Sequence, residues 1–112
     1  MRMLLKVTLP IAEGNAAVAD GTLGPTINSI LSDLKPETVY FAEGNGARTA
    51  FIFLNIADSS QIPAIAEPWF LAFNAKVELR AAMNLEDLKN AGPGMESAVR
   101  KYARAARAAG AK

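Results

Sequence analysis

The residues of this chain that can do chemistry are few, and they are spread over its apolar segments. Lys6, Thr8, Tyr40, Asn55, Glu78 and Arg80 each stand among hydrophobic neighbours in stretches that read as β-strands. A charge placed there must be paired or hydrogen-bonded, because burying it alone is costly. A Glu or Tyr in such a set serves as a base, and Lys or Arg stabilises an anion. The plainer reading of the same residues is a structural ion pair, with Glu78 meeting Lys6, Lys76 or Arg80. A second candidate is aromatic: Trp69 with Tyr40, Phe41, Phe51, Phe53, Phe70 and Phe73. Aromatics at strand and helix spacing build an ordinary core, or they line a pocket for a small apolar or aromatic ligand.

Absent residue types limit the chemistry further. The chain has no His and no Cys. Imidazole bases, Ser–His triads, histidine- or cysteine-ligated metals and disulfides are therefore excluded. No cofactor and no metal site is expected. The Gly44-Asn45-Gly46 turn is not a phosphate loop, because a strand rather than a helix follows it. The Asp58-Ser59-Ser60 cluster reads as a helix cap.

The elements that must position these residues follow from pattern. With 112 residues, 51% hydrophobic content and a net charge of +1, the chain suits one globular domain with a modest core. No apolar run is long enough to cross a bilayer, so no membrane insertion is expected. Lys6, Pro10 and Glu13 interrupt the N-terminal apolar run, so it reads as a first strand rather than a signal peptide, and a cytoplasmic location is the expectation.

In residues 2–9, Met3, Leu5, Val7 and Leu9 share one strand face and Leu4, Lys6 and Thr8 the other. Leu23, Ile27, Ile30, Leu31 and Leu34 fall on one helix face. Gly21, Gly24 and Pro25 could break the segment, with Pro25 opening a new helix, but the reading is one helix over Glu13–Leu34, weakened or kinked near Gly24-Pro25. Lys35-Pro36 ends it. Glu37–Glu43 and Ala47–Ala57 read as two strands of a hairpin. In the second, Ala50, Ile52, Leu54 and Ile56 oppose Phe51 and Phe53, as in a central strand covered on both sides. Caps at Asp58–Ser60 precede a helix whose Ile62, Ile65, Ala66, Trp69 and Phe73 share a face. Lys76–Ala81 alternates as a half-covered strand. A short helical turn, Leu85–Lys89, stops at Gly92-Pro93-Gly94, and a last helix spans Met95–Ala109. Arg100, Lys101, Arg104 and Arg107 make that end basic, but no aromatics interleave them, so nucleic acid is not the expected partner.

The order βαββαβ is that of a ferredoxin-like α+β fold with an antiparallel sheet over residues 1–92 and a basic, Ala-rich helical extension over 93–112. That fold leaves one sheet face open, and a second copy of the chain is its simplest cover.

The run DSSQIPAIAEPWFLAFNAKVEL followed by MNLEDLKNA, with this element order and the two-faced third strand, resembles uncharacterised small bacterial proteins of the dimeric α/β-barrel superfamily. The resemblance covers roughly residues 1–90. It implies a homodimer of ferredoxin-like protomers with a ligand pocket between sheet and helices. It also implies that characterised relatives include cofactor-independent monooxygenases, muconolactone-isomerase-like enzymes, haem-degrading enzymes and ligand-binding regulators. The histidine on which many haem-binding members rely is missing here.

Three functions are thus expected. The first is binding of a small, largely apolar ligand at Lys6, Tyr40, Asn55, Trp69, Phe73, Glu78 and Arg80. The second is a cofactor-independent enzyme of monooxygenase or isomerase type. The third is a structural or interaction module that only dimerises.

Overall fold

The computed structural model describes residues 1–103. They form an α+β structure: a four-stranded antiparallel sheet and five α-helices, compatible with a ferredoxin-like fold. The strands are β1 (Arg2–Thr8), β2 (Thr38–Gly44), β3 (Ala47–Asn55) and β4 (Lys76–Ala81), in the order β2-β3-β1-β4. Met1–Ala82 make one compact unit, and the residues from Met83 on make a second. That division falls before the short helix at 85–90, whereas the sequence reading places it at Gly92.

The core lies on one face of the sheet, where the alternation places it. Met3, Leu5 and Val7 of β1 are buried, as are Ala50, Ile52 and Leu54 of β3. The registers Leu5↔Ile52 and Leu5↔Leu79 put these residues side by side across three strands. Leu5, Val7 and Ile52 are wholly buried. Each contributes about 1.5–3 kcal/mol relative to an exposed position.

Two helices, not one kinked helix, join β1 to β2: α1 (Ile11–Ala19) and α2 (Leu23–Leu34). The break lies at Gly21, three residues before Gly24-Pro25, because Gly21 takes φ +79, a left-handed value that favours glycine. Asp20 holds the turn by accepting from both the Thr22 hydroxyl (2.6 Å) and the Thr22 N–H (3.0 Å). Pro25 sits in the first turn of α2, where its missing N–H costs no hydrogen bond. Lys35 caps α2 in a left-handed conformation before Pro36.

The hairpin between β2 and β3 turns at Asn45 (φ 49) and Gly46 (φ 80), both left-handed, as a tight two-residue turn requires. Glu43 accepts the Gly46 N–H at 2.9 Å. A capping box then starts the next segment: Asp58 accepts from the Ser60 N–H (2.8 Å) and hydroxyl, while Gln61 reaches back. The helix α3 (Ile62–Phe73) follows with Pro63 at its start and Pro68 inside it, and ends at a left-handed Asn74. It buries Ile65, Ala66, Trp69 and Phe73 against the sheet's core cluster.

In the second unit, α4 (Leu85–Asn90) has a capping box made by Asn84 and Asp87. The helix α5 (Gly92–Ala98) begins within Gly92-Pro93-Gly94 rather than after it, since Pro93 fits a helix's first turn. Val99–Ala103 continue as one wider helical turn. Met95, Val99 and Tyr102, which share one side of the expected last helix, are exposed. Ala106, Arg104 and Arg107, with the rest of the expected helix, lie outside the described residues.

Acid is expected to weaken two of these local structures. Asp58 is held below the ordinary carboxyl value of 3.8 by the Ser60 hydroxyl and then the Ser60 N–H. Asp20 is held below it by the Thr22 hydroxyl and then the Thr22 N–H. A carboxyl depressed on folding adds stability above its unfolded pKa and loses it as pH falls through its folded pKa. Urea midpoints should therefore drop below about pH 4, and Asp58→Asn with Asp20→Asn should flatten that drop. An identical acid limb in the double variant would show that other carboxylates set it.

Candidate functional site

Strand register decides which polar residues meet. On the sheet face away from the core, Tyr40, Phe51, Lys6 and Glu78 form one row across β2, β3, β1 and β4. Thr38, Phe53, Leu4 and Arg80 form the next row, and Asn55 pairs Arg2 beyond it. Five of the expected site residues, Lys6, Tyr40, Asn55, Glu78 and Arg80, therefore share one face. Thr8 lies there too, opposite Thr49.

Their contacts are those of an ion-pair network. Lys6 Nζ lies 3.5 Å from Glu78 Oε2 and 6.0 Å from the Phe51 ring centroid. Arg80 Nη2 lies 3.4 Å from Glu78 Oε1. Asn55 donates to Glu37 at 3.5 Å, and Arg2 Nε donates to the same oxygen at 2.9 Å. Partly exposed pairs of this kind are worth about 0.2–1 kcal/mol each. Tyr40 and Glu78 stand on opposite edge strands, three strand spacings or about 14 Å apart. Within one protomer they do not converge on a single reacting atom.

The other two expected site residues lie on the opposite side. Trp69 is wholly buried and Phe73 nearly so. Their rings stack at 6.4 Å between centroids, with 26° between planes. The wider aromatic set divides the same way: Phe51, Phe53 and Tyr40 face outward from the sheet, and Phe70 is exposed on α3. Phe41 has core-facing parity on β2 yet is 60% exposed, because it stands at the mouth of a cavity.

That cavity has a volume of about 800 Å³. It lies between the hairpin end of the sheet and helices α1 and α2, with Trp69 as its one contribution from α3. Its apolar wall includes Leu9, Ile11, Leu23, Ile27, Phe41 and Ala50. The space exists because the residues under it are small. Ala47 and Ala50 line it on β3, and Gly24 on α2 presents no side chain to it. The resemblance implies a pocket between sheet and helices; the cavity found lies on the α1 and α2 side, with Trp69 alone from α3.

One cation lines this cavity, and the sequence reading passed over it. Arg48 shares the parity of Ala50, Ile52 and Leu54, so its side chain leaves β3 on the helix-covered face. Its guanidinium donates twice, Nη1 and Nη2 each 3.1 Å from Asn15 Oδ1. Glu43 stands directly across the ladder from Arg48, but its carboxylate takes the Gly46 N–H. Arg48 forms no ion pair with any described residue.

Gly14 makes room for this arrangement. A Cβ there would lie 2.7 Å from Arg48 Nη1. The parity of Arg48 and a glycine inside a helix were both readable signals. Gly14→Ala should keep or raise stability by up to about 1 kcal/mol, since alanine is the better helix former and the clash meets only the end of a flexible side chain. Thermal unfolding checks this; a large loss would mean that Arg48 is rigidly held.

The remaining polar feature is the indole N–H of Trp69. It is the buried side-chain polar atom left without a hydrogen-bond partner among the described residues. An unmet buried donor costs about 1–3 kcal/mol. No group of three or more carboxylates that could hold a metal ion occurs among the described residues. No helix there is long and apolar enough to cross a membrane. No family model matches the sequence, and no curated protein is significantly similar to it.

Proposed function

We propose that this chain binds a small, largely apolar molecule in the cavity between its sheet and helices α1 and α2. The observation that carries the reading is the cavity itself: a cleft open to solvent, about 800 Å³ in volume, with mostly apolar walls. We further propose a ferredoxin-like protomer that pairs with a second copy through the open sheet face, as the resemblance to dimeric α/β-barrel proteins implies. Phe51, Phe53 and Leu4 on that face are incompletely covered, and Tyr40 is 66% exposed.

The test uses an uncharged probe. Naphthalene should bind with a micromolar dissociation constant and perturb the emission of Trp69, the only tryptophan. Gly24→Leu should abolish that binding without destabilising the fold, because a Cβ at Gly24 meets no atom within 4 Å and leucine is a far better helix former than glycine. Failure of naphthalene and similar neutral compounds to bind at millimolar concentration would sink the reading.

A cofactor-independent enzyme is the second reading, favoured by one observation: Lys6, Tyr40, Glu78 and Arg80 share a face. Since Tyr40 and Glu78 stand on opposite edges, a partner protomer must bring such residues together. Activity by this route would require the dimer and would be lost in any variant that is monomeric.

A further inference from the structure

We propose that the ligand of this cavity is an amphiphilic carboxylate, its acid group bound by Arg48 at the rim and its apolar body inside. The inference rests on the cavity being a binding site and adds the chemical class of what enters it. Arg48 stands on a strand position whose parity belongs to the helix-covered face, and its solvent-exposed side chain lines the cavity there. Its five donors are arranged for a planar, two-oxygen partner. The partner it has is one neutral amide oxygen, Asn15 Oδ1, which both Nη atoms share. A carboxylate offers two oxygens and a compensating charge, so it displaces Asn15 with gain.

The cradle is specific to that guanidinium. Gly14, inside α1, is buried and lacks the Cβ that would meet Arg48 Nη1. Helix interiors disfavour glycine, so this position gives up helix stability for the close approach. Glu43 is the one acidic side chain on the cavity wall. Its negative charge opposes an anion, but its binding to the Gly46 N–H holds it to the turn. Away from Arg48 and Glu43 the walls are mostly apolar, and the buried side-chain polar atom without a partner among the described residues is the Trp69 N–H.

The experiment compares three probes of equal chain length, octanoate, 1-octanol and n-octylamine, by Trp69 fluorescence and by calorimetry. In the unaltered protein octanoate should bind about ten- to a hundredfold tighter than octanol, and octylamine weakest. Arg48→Gln should erase the preference for octanoate and leave octanol binding in place. Arg48→Lys should restore part of the preference, and Glu43→Gln should tighten octanoate a few-fold. Gly14→Ala moves the guanidinium without removing it, and should lower octanoate affinity while the fold stays at least as stable. That variant serves as the control should Arg48→Gln fail to fold.

Equal binding of all three probes would overturn the carboxylate inference and leave the apolar pocket standing. A preference for octanoate unaffected by Arg48→Gln and by Gly14→Ala would overturn the assignment to Arg48. Binding of none of the three, with naphthalene also excluded, would overturn the pocket and the inference together.

Discussion

Trp69→Ala is expected to lower the unfolding free energy by about 3–5 kcal/mol, as truncation of a buried large aromatic does. The indole is wholly buried, stacks on Phe73, and belongs to the same cluster as Leu5, Ile52 and Leu54. A domain of this size is stable by roughly 5–15 kcal/mol, so the loss takes a large share of the total. Urea unfolding followed by circular dichroism measures it, since the variant has no tryptophan left to report. Trp69→Phe should cost less than the alanine change for two reasons. It keeps an aromatic ring against Phe73, and it removes the indole N–H that has no acceptor among the described residues, worth about 1–3 kcal/mol. If both variants lost less than about 1 kcal/mol, Trp69 would be cavity wall rather than core.

The Trp69 side chain combines two roles. Trp69 lines the cavity and also seals the core beneath it. Loss of binding in Trp69→Ala alone would therefore be ambiguous, whereas Gly24→Leu changes only the cavity side.

The strands were legible because each carries a period of two that burial enforces. Met3-Leu5-Val7 and Ala50-Ile52-Leu54 point to one face in sequence and in structure alike. The hairpin was legible because Asn45-Gly46 is among the few pairs that accept two left-handed residues in succession. The helix break was misplaced for a physical reason. Pro25 suits the start of a helix as well as the end of one, so the decisive residue is Gly21 with its Asp20 lock. Across Gly92-Pro93-Gly94 the same ambiguity of proline misplaced the start of α5.

The site was legible only in part. Parity already placed Lys6, Glu78 and Arg80 on faces, but which face of β1 matches which of β4 depends on register, which one-residue slips reverse. Arg48 was readable from parity alone, as the one charge on the core face of β3. Its partners were not, because Asn15 and Gly14 approach it across more than thirty residues of chain. Cavities arise from what small residues leave unfilled, and Ala50 and Gly24 look the same in sequence whether their neighbours close over them or not.

Phe53→Glu is expected to convert the dimer we propose into a monomer. Phe53 lies on the outward face of β3, between Leu4 and Thr38, near the middle of the open sheet. Four strands about 4.8 Å apart and about 24 Å long present roughly 450 Å² of flat area. A standard interface buries about 800 Å² per partner, so the sheet face alone supports a modest association, visible as concentration-dependent mass in light scattering. Near a two-fold axis each substitution acts twice, and the two new carboxylates oppose each other in a partly dry interface. Glu78 on the same face adds further negative charge, while Lys6 and Arg80 are already engaged with it. Light scattering should give one chain's mass at every concentration tested, with stability of the protomer nearly unchanged because Phe53 is not part of its core cluster. A wild-type protein that is monomeric throughout would remove the sheet-face dimer, and with it any chemistry that needs Tyr40 and Glu78 from two protomers. The cavity between the sheet and helices α1 and α2 lies on the other face and would stand unaffected.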